Sequence, residues 1–448
     1  MKKYFILMIC AINIIIGCAA QNKSKERPQP VSRPNDLSDS ALLDLVQKQT
    51  FRYFWDFAHP VSGMARERSN TDAGYGHETI ATGGTGFGVM SVIVATERGW
   101  ISRDTAARFM RKMINFLVKA NAYHGAYPHW LDGATGKTIP FSRKDDGGDL
   151  VETSYLFEGL LCARQYFNRD NPVENEFRGK LDWLWSGIEW NWYTQGQEVL
   201  YWHWSPNNGW AMNFPVRGFN ECLIMYVLAA SDDSHYPVSP AVYHRGWAQS
   251  NFFKNGKKFY GHTLPLGFDY GGPLFFSQYS FLGLDPRGLK DQYADYWEQN
   301  QNHTLINHDY CVDNPKEFKG YGENCWGLTA SDTYNGYNAF SPTNDEGTIT
   351  PTAALSAFPY TPEYSMKALK HFYYDLGDKI WGEYGFVDAF NETRHWYAKS
   401  YLAIDQGPIV AMIENYRSGL IWKLFMSCPE IQRGLKKLGF SSPWIEAN

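Results

Sequence analysis

Apolar helices with an acid at their first turn alternate along this chain with amphipathic ones, and few folds accommodate that alternation. Leu150, Val151, Leu156, Phe157, Leu160 and Leu161 recur at helical spacing directly after Asp145-Asp146-Gly147-Gly148-Asp149. Phe219-Asn220-Glu221 leads into Cys222 to Ala230, a run apolar on every face and therefore buried. Ile404-Asp405-Gln406-Gly407-Pro408 leads into the apolar stretch Ile409 to Arg417, and Thr82-Gly83-Gly84-Thr85-Gly86-Phe87-Gly88 opens a helix to about Arg98. Further helical patterns cover 40–57, 102–120, 174–193, 275–282, 291–307, 351–358, 362–377 and 425–438. Helices buried all round together with helices buried on one side fit an all-α double ring. Twelve helices at roughly 34 residues per helix and loop fill it with ordinary lengths. If the inner helices present their N-termini to one face, their acids converge on one cleft. No sustained strand–helix alternation points to a parallel sheet. Short strands are expected only at the rim, as in the Gly- and aromatic-rich hairpin around 123–141.

Asp149 and Glu152 are three residues apart and share a helix face near its positive end. Two carboxylates there repel, which raises the pKa of one and suits acid–base chemistry. A structural alternative is a capping box, with Asp149 as N-cap and Glu152 closing back on it. Glu221 stands alone at the mouth of its apolar helix, where burial favours the protonated carboxyl. The Gly-rich run at 82–88 has no following Gly-Lys-Ser/Thr and no preceding strand, so it reads as close helix packing rather than a phosphate cradle.

Net charge is −5, and no Lys/Arg cluster is long enough to track a phosphate backbone, which argues against nucleic acid as partner. Aromatic residues make up 17% of the chain, a surplus that suits stacking on the apolar faces of sugars. No His, Asp and Glu cluster has ligand spacing, so neither metal nor cofactor is expected. Cys162 and Cys222 lie in apolar helical runs, and Cys311 and Cys325 are candidates to pair if the compartment is oxidising.

Lys2-Lys3 followed by an apolar core to Ile16 and then Gly17-Cys18 is the pattern of a lipoprotein signal. The expected organisation is a signal peptide over 1–17, a lipidated Cys18 with a flexible Lys-, Arg- and Pro-bearing tether over 18–36, and one domain over 37–448. Export with a lipid anchor, in the periplasm or at the outer membrane, follows; the anchor is the only expected membrane contact.

Several long motifs carry a resemblance. Phe219-Asn220-Glu221, the run Gly320-Tyr321-Gly322-Glu323-Asn324-Cys325-Trp326-Gly327-Leu328-Thr329-Ala330-Ser331-Asp332, Gly385 to Asn391, and Ile404 to Arg417 resemble the glucoamylase-like domain family over about residues 40–445. Within it the chain is most similar to the lipoprotein-type members of glycoside hydrolase family 144 from Bacteroidetes. That resemblance implies an (α/α)6 toroid hydrolysing neutral β-1,2-glucan with inversion, either internally or by release of sophorose. It also implies that Asp149, Glu152 and Glu221 lie in the substrate cleft. An inverting enzyme needs one protonated carboxyl and one carboxylate about 6.5–9.5 Å apart, so the two come from different helices. Glu221 is then expected as general acid, and Asp405, Asp149 or Glu152 as base. Asp145 is expected either to bind a subsite sugar or to be a solvated loop acid. Arg217, Tyr321, Glu323, Trp326, Asp332 and Trp396 are candidate substrate-binding residues. A non-catalytic glycan-binding lipoprotein would share the anchor and aromatics but not need acids at several helix mouths. A hydrolase of the same fold acting on another glucan also fits. A lyase on acidic glycans fits less well, because uronates call for a basic cleft.

Overall fold

Ser38, Ser102, Asn171 and Asp295 each accept a hydrogen bond from a first-turn N–H and start the helices Asp39–Trp55, Arg103–Leu117, Pro172–Ser186 and Tyr296–Asp313. These belong to the outer layer. Two of the inner helices start differently. Thr82–Glu97 and Ala403–Arg417 have no side-chain cap of their own; Glu152 of a neighbouring inner helix accepts from the Gly83 N–H of the first, and the Glu67 carbonyl of a loop accepts from the Ala403 N–H of the second. The computed structural model describes residues 33–70, 76–232, 235–250 and 252–445. The signal segment 1–17, Cys18 and the tether up to residue 32 lie outside the described residues.

The inner layer closes into a ring. Thr82–Glu97 packs between Leu150–Tyr166 and Ala403–Arg417. Leu150–Tyr166 then meets Leu223–Ser231, and that helix meets the turn Tyr279–Phe281. Gln278 Nε2 donates to the Ala353 carbonyl (2.9 Å), and Pro351–Leu355 packs back on Ala403–Arg417. The outer layer is completed by the π-turn segment Val242–Trp247 and by Pro362–Lys370. Leu420–Met426 packs on Leu150–Tyr166, and Pro429–Lys437 on Leu223–Ser231. The double ring expected from the sequence, an (α/α)6 toroid, is the architecture observed.

Two regions depart from the expected helices. The stretch expected at 275–282 is a pair of tight 3₁₀ turns, Leu274–Ser277 and Tyr279–Phe281, set between Gly272-Pro273 and Gly283. His303 clamps it: the ring lies 2.8 Å from Ser277 Oγ through Nδ1 and 3.0 Å from the Gly272 carbonyl through Nε2. Burial lowers this imidazole to about 4, so it is neutral, with Nε2–H donating and Nδ1 accepting. The closing helix expected at 425–438 breaks at Cys428-Pro429, where proline can only start a new helix.

The Gly-rich N-terminus at 82–88 serves close packing. A Cβ on Gly86 would lie 2.0 Å from the Tyr155 carbonyl oxygen, and one on Gly159 would lie 2.0 Å from that of Gly86. Both obstacles are backbone and cannot swing away. A Gly86→Ala substitution is therefore expected to lower stability by about 3 kcal/mol or more through forced separation of two inner helices. A denaturant midpoint equal to that of the wild type would contradict this packing. The five described cysteines are all free and buried, so the candidate pair Cys311 and Cys325 is not joined.

Candidate active site

Short rim strands hold the inner N-termini in register. Gly148–Asp149 pairs with His203–Trp204, and Thr79–Ala81 pairs with Trp130–Asp132. On this frame Asp149 caps its own helix, its Oδ1 accepting from the Glu152 N–H (2.9 Å). Its Oδ2 accepts from Trp202 Nε1 (2.9 Å) and His129 Nδ1 (3.1 Å). Both oxygens of this fully buried carboxylate are thus engaged. Glu152 does not close a box on Asp149. Its Oε2 accepts from the Gly83 N–H (2.7 Å), bridging to the Thr82–Glu97 N-terminus, where a Cβ at Gly83 would meet that oxygen at 2.6 Å. The capping-box expectation is half right, and the other half is a tie between helices.

Burial raises Glu152 to about 7, with Asp149 adding to it and His129 opposing. His129 lies 3.9 Å from Glu152 Oε1. Burial alone would lower this imidazole, but Glu152, Asp149 and Glu67 outweigh it and push it up to about 10, so it is a fixed cation. Asp145 is buried and also raised to about 7, by burial first and then by Asp149. Its Oδ1 stands 3.3 Å from His203 Nε2, a nitrogen already accepting from the Gly147 N–H (3.0 Å). Asp145 is therefore a buried acid and not a solvated loop acid.

Glu221 sits just before Leu223–Ser231. Its carbonyl accepts from Ser280 Oγ and Tyr155 Oη, which fixes the backbone. Its side chain is buried, Oε2 has no hydrogen-bond partner, and burial pushes the carboxyl up to about 7. Asp405 lies on the opposite inner helix, three places round the ring. Neither of its oxygens meets a conventional donor; its neighbour is the Asp388 carboxyl. Burial raises both acids; the Asp332 charge adds to it at Asp388, which reaches about 7, and the Asp388 charge adds to it at Asp405, so the pair holds one proton at neutral pH. Asp388 Oδ2 is held by the Asp332 N–H (2.7 Å). Burial raises the Tyr279 phenol, and the charges of Asp405, Glu221 and Asp388 all add to it.

Asp332 is paired with Arg68 (3.0 Å) and accepts from Ser400 Oγ (2.5 Å). With Tyr337, Trp396 and Arg68 it lines a cavity of about 690 Å³ beside the carboxyls. The remaining predicted binders lie elsewhere. Trp326 is fully buried against His308, and Tyr321 donates to Asp345 (2.7 Å), so both hold a loop in place. Glu323 is exposed near Lys367, and Arg217 is bound to the carbonyls of Arg245 and Gly246. Sequence reasoning assigned no role to His129, Arg68, Glu67 or Asp388. Asp388 stands in a quoted motif. The other three come from loops whose local spacing carries no signal.

A helical double ring with carboxyls gathered at the inner N-termini beside an open cavity defines a toroid of the glucoamylase-like class. A family model described as “Putative glucoamylase” matches residues 213–429. An endo-β-1,2-glucanase of Chitinophaga pinensis is 57% identical and superposes with a TM-score of 0.89, covering 92% of this chain and 100% of that one. A Bacteroides uniformis protein with the same description as the family model is 62% identical with a TM-score of 0.90, again over 92% and 100%. The chain belongs to this glucoamylase-like family, of the glycoside hydrolase family 144 type. It is also 45% identical over 441 residues to the exo-β-1,2-glucooligosaccharide sophorohydrolase (non-reducing end) of Parabacteroides distasonis. That match takes in 94% of this chain but spans only 60% of the relative's length.

Proposed function

We propose that the chain is an inverting glycoside hydrolase acting on β-1,2-glucan. The observation that carries this is the opposition of a buried, protonated Glu221 to the Asp388–Asp405 pair across the inner ring. Glu221 donates its proton to the glycosidic oxygen as the bond from that oxygen to the anomeric carbon breaks. The ionised member of the Asp388–Asp405 pair accepts a proton from the water that attacks the anomeric carbon on the opposite face. Asp149, with both oxygens already engaged, is left as an anchor for His129 and Trp202. In this reading Glu152 and Asp145 bind substrate hydroxyls, and Asp332 with Trp396 holds a neighbouring sugar. The β-1,2 linkage is taken from the relatives, since those named for a substrate act on that glucan.

The Gly17-Cys18 pattern supports a domain exported and tethered through Cys18. Incubation of the domain lacking residues 1–36 with linear β-1,2-glucan, other β-glucans and starch tests the reaction. Product from β-1,2-glucan with inverted anomeric configuration, read by NMR in the first minutes, is expected. Product only from another glucan would keep the acids and discard the substrate. Binding without cleavage of any of them would remove the hydrolase.

A further inference from the structure

A track of aromatic rings runs from the surface to the carboxyls. Phe252 and Phe268 are exposed by 59% and 44% and lie 5.2 Å apart between ring centres. Phe268 neighbours Phe276 (6.4 Å), Phe276 neighbours Phe275 (4.8 Å), and Phe275 stacks on Tyr279 (5.1 Å). Tyr279 meets Tyr155 edge-on (5.7 Å), and the Tyr155 hydroxyl donates to the Glu221 carbonyl. The outer rings line a cavity of about 720 Å³ whose polar edge includes Lys257, Asp269 and Thr343. Lys257 and Asp269 form an ion pair (2.9 Å) that is largely exposed. Such a pair contributes little to stability and can exchange its partner for sugar hydroxyls. The cavity is also tied to the acid loop: a Cβ on Gly267, one of its lining residues, would lie 3.5 Å from Phe219, two residues before Glu221.

The hairpin Ala330–Thr333 and Gly336–Ala339 separates this cavity from the one at Asp332 and Trp396, with Tyr337 lining one and Ala339 the other. Sugar-sized spaces thus stand beside Asp332 on one side of the hairpin and beside the loop that carries Glu221 on the other. Large apolar rings left in water, with polar groups at their border, mark a ligand surface, and pyranose faces are the ligand for which ring stacking suits. We infer that Phe252, Phe268 and Phe276 form a distal glucosyl-binding platform, and that the bound chain runs through the cleft and is cut internally. This rests on the β-1,2-glucan hydrolase proposed above.

The test compares wild type, the Phe252→Ala/Phe268→Ala double variant, the Phe252→Tyr/Phe268→Tyr variant and Trp183→Ala, the last removing an exposed ring on an outer helix. Steady-state kinetics are run on long β-1,2-glucan and on a short β-1,2-oligosaccharide. The alanine pair is expected to raise KM for the polymer about tenfold and that for the short substrate far less, the size of a lost ring-stacking contact. The tyrosine pair should restore the polymer KM, and Trp183→Ala should leave it unchanged. Equal effects on both substrates, or none, would overturn the platform. Wild-type product that is a ladder of sizes from the first time point supports internal cutting, and sophorose alone overturns it. If wild type cleaves no glucan, the hydrolase fails by itself. Affinity electrophoresis in β-1,2-glucan then decides the platform, which stands only if the polymer retards wild type and not the alanine pair.

Discussion

Glu221→Gln is expected to lower kcat on β-1,2-glucan by about 10³-fold or more while leaving substrate affinity within a few-fold. The amide keeps the shape of the carboxyl and cannot release a proton, and positioned proton transfer contributes about 10²–10⁴-fold. The same substitution is expected to stabilise the protein at neutral and mildly alkaline pH. In the fold this carboxyl titrates at about 7, against 4.5 for an ordinary glutamate. Its favourable contribution is complete below about pH 4.5 and is lost as pH rises through 7, because the folded protein then holds a buried charge that the unfolded chain solvates. The difference is on the order of 3 kcal/mol at pH 8 and vanishes near pH 4. Urea melts of both proteins at pH 4 and pH 8 check it. Wild-type activity should fall with the same transition as the acid loses its proton above about 7. A Glu221→Gln protein that turns over normally, or a stability gap that is the same at both pH values, would remove Glu221 as the acid.

The sequence made the inner helices readable because burial on every side leaves no polar face, and that shows as a continuous apolar run. It also made their acids readable, since a charge at the end of such a run has no bland use on a solvated face. What it left out is how those acids are neutralised. His129 and Trp202 reach Asp149 from a hairpin and a loop, and Arg68 reaches Asp332 across 264 residues. No periodicity records such contacts. Trp326 and Tyr321 are ambiguous in the sequence for a related reason. Their motif is specific to the family and fits loop packing as well as sugar contact; both side chains pack their loop, Trp326 against His308 and Tyr321 onto Asp345. The 3₁₀ turns at Leu274–Ser277 and Tyr279–Phe281 were read as a helix because an apolar aromatic run has no signature of its own. There tertiary clamping by His303 decides the backbone.

The cation most responsible for holding these acids together is His129, and its removal carries the second large effect. Its Nδ1–H donates to Asp149, and its other nitrogen lies 3.9 Å from Glu152. A His129→Ala protein leaves a fully buried Asp149 carboxylate without its counter-charge, a change that costs about 3–5 kcal/mol. The pH dependence gives the test its specificity. The folded imidazole titrates at about 10 against 6.5 when unfolded, so its stabilising charge is fully present below pH 6.5 and is lost as pH rises through 10. The gap between wild type and His129→Ala in denaturant melts is therefore expected to be wide at pH 6 and to shrink by pH 10. His129→Gln separates the two roles of the ring, since it can still donate to Asp149 but carries no charge. It should recover part of the loss at pH 10 and little at pH 6. Equal midpoints for wild type and His129→Ala at pH 6 would mean that Asp149 is held by Trp202 and its own helix alone. The proton balance of the cleft would then rest on Asp388 and Asp405 rather than on this cation.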